Sequence, residues 1–260
     1  MNRHERLTRL LELIVERENI HLDDMIAELG ISAATARRDL DHLAQQQLIT
    51  RTRGGATTSP TSSDLPLRYK TARQAGEKQR IARAAAELIG PSEVIGLNGG
   101  TTTTEVAREL VLRTDLQGGD VRSQVVVVTN AVNIANELAV RRHVRVVLTG
   151  GVVRAMSFEL TGPLATRILQ DITIDTLFLG VNALSAAGAF THHDGEAAIN
   201  AALAEHAGRV VVVADHTKIG ATAFAKICDI SRLDGLITDS GADEAALEEL
   251  RAAGLDVTVV

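Results

Sequence analysis

Tryptophan is absent from this 260-residue chain, tyrosine occurs once, and aromatic residues make up only 2% of the sequence. The single cysteine, Cys228, excludes an intramolecular disulfide framework and suits a reducing compartment. No apolar run approaches the roughly 18 residues of a membrane-spanning helix. The N-terminus, MNRHERLTRL, lacks the apolar core of a signal peptide. These absences favour a soluble, cytoplasmic protein, and the hydrophobic content of 45% is ample for a packed core.

Positive charge is not in excess over the whole chain, since 27 Lys and Arg stand against 33 Asp and Glu, for a net charge of −6. Taken alone, this balance argues weakly against a nucleic-acid partner. The local balance differs, because the segment from Ser32 to Gly55 holds four arginines and two acids. Arg37 and Arg38 lie side by side within it, in TARRDLDHL.

The N-terminal region contains three apolar patterns with helical spacing. Apolar residues recur at positions 7, 10, 11, 14 and 15, and again at 22, 25, 26 and 29. Gly30 is suited to end the second helix, and Ser32 is suited to cap a third, whose inward positions are Ala36, Leu40 and Leu43. Two short helices joined by a glycine-containing turn predict a helix-turn-helix.

The outward positions of the third helix are suited to DNA. Its N-terminal half corresponds to the part of such motifs that presents side chains to the major groove. Arg37 and Arg38 can each bond both guanine acceptors, and Thr35 can contact a phosphate or a thymine methyl. Asp39 is expected to orient an arginine within the domain. The alternative is an ordinary solvated face with pairs such as Arg37 and Asp41.

Residues 47–56, QLITRTRGGA, alternate apolar and polar residues as a short strand does. We expect Gly54 and Gly55 to turn it into a hairpin wing that lies along the phosphate backbone. Ser32, Thr35, Arg37, Arg38, Arg51 and Arg53 are the predicted DNA-binding residues.

The run ISAATARRDLDHLAQQQLITRTRGG resembles the N-terminal signature of the DeoR-type (GlpR-like) bacterial transcription regulators. It departs from the family pattern at Ala36, where isoleucine is usual, and at Arg53, where histidine is common. The resemblance implies a winged helix-turn-helix DNA-binding domain over residues 1–56.

Residues 57–67 are polar and proline-containing, which is typical of a linker. Residues 68–260 alternate apolar runs with helical stretches, which predicts an open, Rossmann-like α/β sheet with parallel strands buried on both faces. The candidate strands are EVIGLNG, QVVVVTN, VRVVLTG, TLFLGVNA, RVVVVAD, DGLITD and DVTVV.

Ligands of such sheets bind beyond the carboxyl ends of the strands. Three neighbouring ends carry glycines and small polar residues that suit an anion, although each alone is also compatible with a plain capped turn. They are Asn98, Gly99, Gly100, Thr101, Thr102 and Thr103; then Thr129 and Asn130; and then Gly150 and Gly151 with Arg154. Neither a Walker A motif nor GxGxxG is present.

Two later strand ends add Asn182 with Glu196, and Asp215 with Lys218. Glu196 suits either a helix N-terminus or a sugar hydroxyl, and Lys218 either a phosphate or solvent. The neighbouring loop also holds His192, His193 and Asp194, but adjacent histidines cannot easily share one metal ion and no third nitrogen or sulfur ligand follows. We therefore predict no metal, no cofactor and no catalytic residue.

The segments TGGxxR, LTGPLA, FLGVNAL and ADHTKIG resemble the sensor domain of the same regulators. The resemblance implies a fold related to sugar-phosphate isomerases, a phosphorylated sugar as effector, and a homodimer or homotetramer. It also makes effector-binding candidates of the glycines and threonines above, Arg154 and Lys218.

The sequence thus predicts a cytoplasmic repressor of a carbohydrate gene cluster, nucleoid-associated when bound to operator DNA. An effector would shift the population between subunit arrangements and so change the spacing of paired recognition helices. The alternative is a sugar-phosphate isomerase or related enzyme with an accessory domain, in which Asp194, Asp215, Glu196 or Lys218 would supply the base.

Overall fold

The computed structural model describes the chain except for residues 1, 18, 47, 59–65, 71–72 and 117–123. The chain divides into two compact units, residues 1–73 and 74–260. The predicted division into residues 1–56, a linker over 57–67 and residues 68–260 stays a prediction. At the ends of that predicted linker, Thr57 and Thr58 belong to a strand and Leu67 begins a short helix. Residues 59–65 of the segment lie outside the described residues.

The first unit contains the three predicted helices, and a fourth follows them. Their bounds are α1 Arg3–Arg17, α2 Leu22–Leu29, α3 Ala33–Gln45 and α4 Leu67–Lys70. Gly30 ends α2 in the left-handed conformation (φ +62°), and its N–H donates to the Ile26 carbonyl at 3.0 Å. Ala36, Leu40 and Leu43 are fully buried, as their helical spacing predicts.

A three-stranded antiparallel sheet of order β1-β3-β2 completes this unit. Its strands are β1 Asn19–His21, β2 Ile49–Thr52 and β3 Gly55–Thr58. The wing is therefore present, but its two-residue turn is Arg53–Gly54, one residue earlier than predicted. Gly55 belongs to β3 because β1 pairs beside it: a Cβ on Gly55 would lie 2.0 Å from the Ile20 carbonyl oxygen. The short strand β1 was not predicted.

The second unit is built on a seven-stranded parallel sheet of order β15-β14-β12-β9-β4-β5-β6. All seven predicted apolar segments form its strands, which confirms the open α/β sheet. Their bounds are β4 Val94–Leu97, β5 Val125–Thr129, β6 Val144–Leu148, β9 Ile174–Leu179, β12 Ala207–Val213, β14 Gly235–Thr238 and β15 Asp256–Val259.

Helices cover both faces of this sheet, and a hydrophobic cluster lies on each side. They are α5 Ala75–Glu87, α6 Thr101–Leu112, α7 Val132–Leu138, α8 Pro163–Arg167, α9 Asp194–Glu205 and α10 Glu244–Ala252. Among the described residues, no helix is both long enough and apolar enough to cross a membrane.

Smaller antiparallel elements flank the parallel sheet. Strands β7 Val152–Arg154 and β8 Glu159–Thr161 form a hairpin, and β10 Ala183–Ser185, β11 Gly188–Thr191 and β13 Ala225–Cys228 form a second small sheet. The chain order of the parallel strands reverses between β4 and β9, which are neighbours at the centre of the sheet. Such a switch point leaves a crevice at the carboxyl ends of the strands, where open α/β sheets bind ligands.

Candidate functional sites

The recognition helix α3 begins at a capped N-terminus. The Ser32 hydroxyl accepts from the Thr35 N–H at 3.2 Å and lies 2.9 Å from the Thr35 hydroxyl. Because this cap fixes the first turn, it sets the direction of the side chains that follow. Arg37 and Arg38 are both exposed on the outer surface of α3. This is the exposure that the contact with DNA requires.

Asp39 lies on the opposite side of α3, where it holds an arginine, as predicted. Its carboxylate accepts from Arg6 Nε at 2.6 Å and from Arg6 Nη2 at 3.2 Å. The Asp39 side chain is 3% exposed and that of Arg6 is 19% exposed. The hydrogen bond to Asp39 raises the pKa of Arg6 against the opposing effect of burial. The Arg6–Asp39 pair, with its two hydrogen bonds, therefore joins α1 to α3 and helps to fix the position of the recognition helix.

The wing is attached to the recognition helix through Arg51. Its Nη1 donates to the Asp41 carboxylate at 2.9 Å and to the Arg37 carbonyl at 3.2 Å. Asp41 thus bonds Arg51, whereas the solvated-face alternative would have paired it with Arg37. Arg53 is exposed at the tip of the hairpin. The geometry supports base contacts from α3 and backbone contacts from the wing, and both stay predictions.

At the switch point of the second unit, Asn98 joins the ends of β4 and β9. Its side-chain Nδ2 donates to the Gly180 carbonyl at 2.9 Å, and its Oδ1 accepts from the Gly180 N–H at 2.7 Å. Asn98 is buried. The observed contacts give it a positioning role: it fixes the two loops that border the crevice.

The loop after β4 leads directly into α6. Gly100 has φ +147°, a conformation that favours glycine, and it immediately precedes the helix. The Thr103 and Thr104 hydroxyls donate back to the Gly100 carbonyl at 3.2 and 2.6 Å. The N–H groups of residues 101–103, in the first turn of α6, lack the carbonyl four residues earlier that a helix interior supplies. They are suited to bind an anion.

Glu159, on β8, is the central residue that the sequence did not reveal. Its carboxyl accepts from Asn130 Nδ2 at 2.9 Å and from the Gly99 N–H. A Cβ on Gly99 would lie 2.2 Å from the Glu159 Cγ, so only glycine allows this approach. Glu159 therefore links the ends of β4 and β5, which are separate segments in the sequence.

A second buried carboxyl lies close to the first. Glu196, in the first turn of α9, accepts from Arg154 Nη1 at 3.0 Å. The Thr191 hydroxyl lies 3.0 Å from Glu196 Oε2 and 2.8 Å from Asn182 Oδ1. Five predicted residues from five separate segments are thus brought into one polar network, together with Glu159 and Thr191. They are Gly99, Asn130, Arg154, Asn182 and Glu196.

Burial dominates the electrostatics of this network. Burial, reinforced by the negative charge of Glu196, raises the pKa of Glu159 to about 8, although Asn130, Arg154 and the Gly99 N–H favour the carboxylate. At neutral pH Glu159 is therefore mainly a neutral carboxylic acid, which can donate a hydrogen bond as well as accept one.

Four further predicted positions are Thr129, Gly150, Gly151 and Lys218. Thr129 is buried, and its hydroxyl accepts from the Ala131 N–H at 3.0 Å. Gly151 has φ +110°, and a Cβ there would lie 2.7 Å from the Thr161 carbonyl oxygen, so glycine at this position allows β8 to pack closely. Gly150, beside it, has φ +82°. Lys218 lies in a 3-10 turn after β12. Their binding of an effector stays a prediction.

The histidine-rich loop carries a helix cap. His193 Nδ1 accepts from the Gly195 N–H at 3.1 Å at the start of α9. No group of three or more His, Cys, Asp or Glu arranged to hold a metal occurs within the part of the chain that the structure describes. Asp239, at the end of β14, instead holds His216: its oxygens accept from the His216 N–H and lie beside His216 Nδ1, both at 2.8 Å.

Glu159 and Thr191 were missed because neither follows a parallel strand. Glu159 opens β8 directly opposite Arg154, a predicted site residue, in the register of the hairpin. The available signal was an isolated glutamate between Phe158 and Leu160, since charged residues are rarely buried unless they are paired.

A winged helix-turn-helix with an exposed, arginine-bearing recognition helix defines a DNA-binding protein, and here it is joined to an α/β unit with a polar crevice. Comparison with known families agrees. Residues 6–62 match the DeoR-like helix-turn-helix domain, and residues 73–240 match the DeoR C-terminal sensor domain. The chain belongs to the DeoR family of transcriptional repressors and is not an enzyme, so the isomerase alternative is set aside.

Relatives match over nearly their whole length. A putative aga operon transcriptional repressor of Escherichia coli O157:H7 is 35% identical and covers 98% of this chain and 93% of its own. The glycerol-3-phosphate regulon repressor of Escherichia coli K12 is 30% identical and covers 92% of each chain. Among solved structures, ribose 5-phosphate isomerase A of Methanocaldococcus jannaschii is similar with a TM-score of 0.40 at 18% identity, over 56% of this chain and 54% of its own.

Proposed function

We propose that this protein represses a carbohydrate-metabolism gene cluster and that a phosphorylated sugar, bound in the second unit, modulates its binding to operator DNA. The observation that carries the proposal is the α6 N-terminus at the switch point, bordered by the polar network of two carboxyls, two amides and an arginine. The N–H groups of α6 suit a phosphate, and the network suits hydroxyls. Two relatives named for the aga operon and the glycerol-3-phosphate regulon support this direction.

Control of DNA binding follows from symmetry. We propose that the protein acts in the cytoplasm as a homodimer or homotetramer, since paired recognition helices must meet half-sites about 34–36 Å apart, or a multiple of that distance. A ligand that binds one subunit arrangement more tightly shifts the population towards it and so changes operator affinity without touching DNA. Apolar Val152, Val153 and Leu164 are exposed on β7 and α8, which supports self-association.

The direct test is fluorescence anisotropy of the full-length protein on the DNA upstream of its own gene, titrated with hexose and pentose phosphates. We expect saturable binding and a shift of at least tenfold with one of the sugar phosphates. Specific binding that none of them alters would remove the sensor assignment and leave the repressor. No specific binding at moderate salt would contradict both.

Replacing Arg37 with alanine is expected to weaken specific operator binding by about 1–3 kcal/mol, or roughly 5- to 150-fold, because a bidentate base contact is lost. The same anisotropy titration measures the effect. Arg251→Ala, on α10 of the other unit, removes the same charge and should leave the affinity within about twofold. A loss of only a few tenths of a kcal/mol for Arg37→Ala would make Arg37 part of a solvated face.

A further inference from the structure

Strand β7 forms the outer edge of the β7–β8 hairpin. Its partner β8 is joined on the other side to the backbone before α7, where Ala131 pairs with Glu159. The Leu160 N–H also donates to the Asn130 carbonyl there, at 2.7 Å. Within the described part of the chain, β8 is the only strand that pairs with β7. The other edge of β7 is therefore a free edge, and such an edge can pair with a strand of another chain.

The hydrogen bonds of the hairpin fix which backbone groups face this free edge. In an antiparallel pair, the N–H and C=O of one residue point to the same side. The Leu160 N–H points away from β7, so Leu160 and Val153, which lie opposite each other, form a pair without hydrogen bonds between them. The Val153 N–H and C=O therefore point to the free edge. The Val152 carbonyl agrees with this register, since it lies 3.4 Å from the Thr161 hydroxyl of β8.

The exposed apolar residues of the second unit are concentrated around β7. Nine large hydrophobic residues are exposed in the described part of the chain, and four of them lie between positions 148 and 164. They are Leu148, Val152, Val153 and Leu164. Val152 and Val153 point to opposite faces of the strand, because successive residues alternate, and both are more than half exposed. Exposed apolar surface on both faces of an edge strand indicates a protein–protein contact.

The charges of β7 suit contact with a second copy of the same chain. Its only charged residue is Arg154, which bonds Glu196 within the chain. The two edge strands of the parallel sheet differ, since β6 carries exposed Arg145 and β15 carries exposed Asp256. In a two-fold contact the same surface meets itself, so either of these edges would bring unpaired like charges close together. A two-fold contact is also what paired recognition helices on a symmetric operator require.

We propose that two copies of the chain associate through β7, paired antiparallel about a two-fold axis beside Val153. The two Val153 residues then exchange N–H···O=C hydrogen bonds, and the two hairpins become one four-stranded sheet. Arg154, the next residue along β7, bonds Glu196 of the crevice network, so a ligand that displaces Arg154 acts on the strand that makes the subunit contact. This inference rests on the proposed function, for which it names the surface of self-association.

Cross-linking tests whether the two copies of β7 meet. In a Cys228→Ser background, we expect Val153→Cys to give a covalent dimer with a short bismaleimide, because hydrogen-bonded partners in antiparallel strands have Cα atoms about 5.5 Å apart. The control is Val140→Cys, at a position that is 74% exposed and precedes β6. The dimer yield of Val153→Cys should be at least tenfold higher. Equal yields from the two variants would show random collision and would overturn the pairing.

Charged variants test the two-fold symmetry. Val153→Glu and Val153→Lys each place like charges at the axis, so each should halve the mass of the wild-type assembly in sedimentation velocity, from dimer to monomer or from tetramer to dimer. An equimolar mixture of the two should recover the wild-type mass, because opposite charges then meet. Val140→Glu and Val140→Lys should keep that mass throughout. A mixture that does not associate would contradict a contact centred on Val153.

The outcomes separate this inference from the proposed function. If the wild-type protein is a monomer at concentrations at which it binds operator DNA, the homo-oligomer of the proposed function fails, and the pairing fails with it. If it is an oligomer and the folded Val153 variants keep its mass, the β7 pairing is overturned while repression and self-association remain. Circular dichroism confirms the fold of each variant. Cross-linking through the conservative Val153→Cys decides the inference even where a charged variant does not fold.

Discussion

Replacing Asp39 with alanine is expected to destabilise the N-terminal unit by about 3 kcal/mol and to weaken operator binding as a consequence. The carboxylate is almost completely buried and makes both bonds to Arg6, so its removal leaves the half-buried Arg6 side chain without its partner. Breaking one side of a buried pair costs more than the pair itself contributes, because the remaining charge keeps its desolvation penalty. A domain of this size has only about 5–15 kcal/mol of total stability to lose.

The measurement is urea unfolding followed by tyrosine emission, which comes from Tyr69 alone in a chain without tryptophan. The matched control is Asp41→Ala on the same helix. Its pair with Arg51 is exposed, with the Asp41 side chain 63% accessible, and such pairs contribute less than about 1 kcal/mol. A loss at Asp39 no larger than that at Asp41 would contradict the role assigned to the buried pair.

The double variant Arg6→Met with Asp39→Leu offers a further check. It removes both charges and refills the space with apolar atoms, so most of the lost stability should return. If the double variant is as unstable as Asp39→Ala, the unpaired charge of Arg6 is not what destabilises the unit.

The stability of the second unit should fall as the pH rises from about 5 to about 8, and Glu159→Gln should remove a large part of this fall. Folding raises the pKa of Glu159 from its ordinary 4.5 to about 8. Between these values the folded chain keeps a proton that the unfolded chain releases, so a higher pH favours unfolding. Each pKa unit corresponds to about 1.4 kcal/mol, and the expected effect is on the order of a few kcal/mol.

This prediction is measured as the difference in free energy of unfolding between wild type and Glu159→Gln, by urea denaturation followed by circular dichroism at several pH values. The free energy of unfolding of the variant should rise relative to that of the wild type as the pH rises. This difference should level off above about pH 8. Glu248→Gln, at an exposed position, should show no such trend. A constant difference from pH 5 to 8.5 would mean that Glu159 is ionised throughout.

The sequence by itself determined the elements whose signals are local. The seven apolar runs, the glycine at the end of α2 and the serine cap of α3 each depend on a few adjacent residues. Periodicity and capping chemistry act over one or two turns, so they can be read without knowing what lies opposite. Asp39 was also expected to orient an arginine within the domain, and it bonds Arg6.

Only the tertiary structure decided which residues meet. Glu159 lies 29 positions from Asn130 and 37 from Glu196 in the sequence. The hairpin β7–β8 places its carboxyl where it accepts from the Gly99 N–H. The wing turn lies one residue earlier than predicted because β1, a strand of three residues, pairs beside Gly55. Asn98, a predicted effector-binding residue, holds Gly180 across the switch point. In each case the deciding partner is distant in the chain, and the free energy of a buried polar group depends on that partner and not on its sequence neighbours.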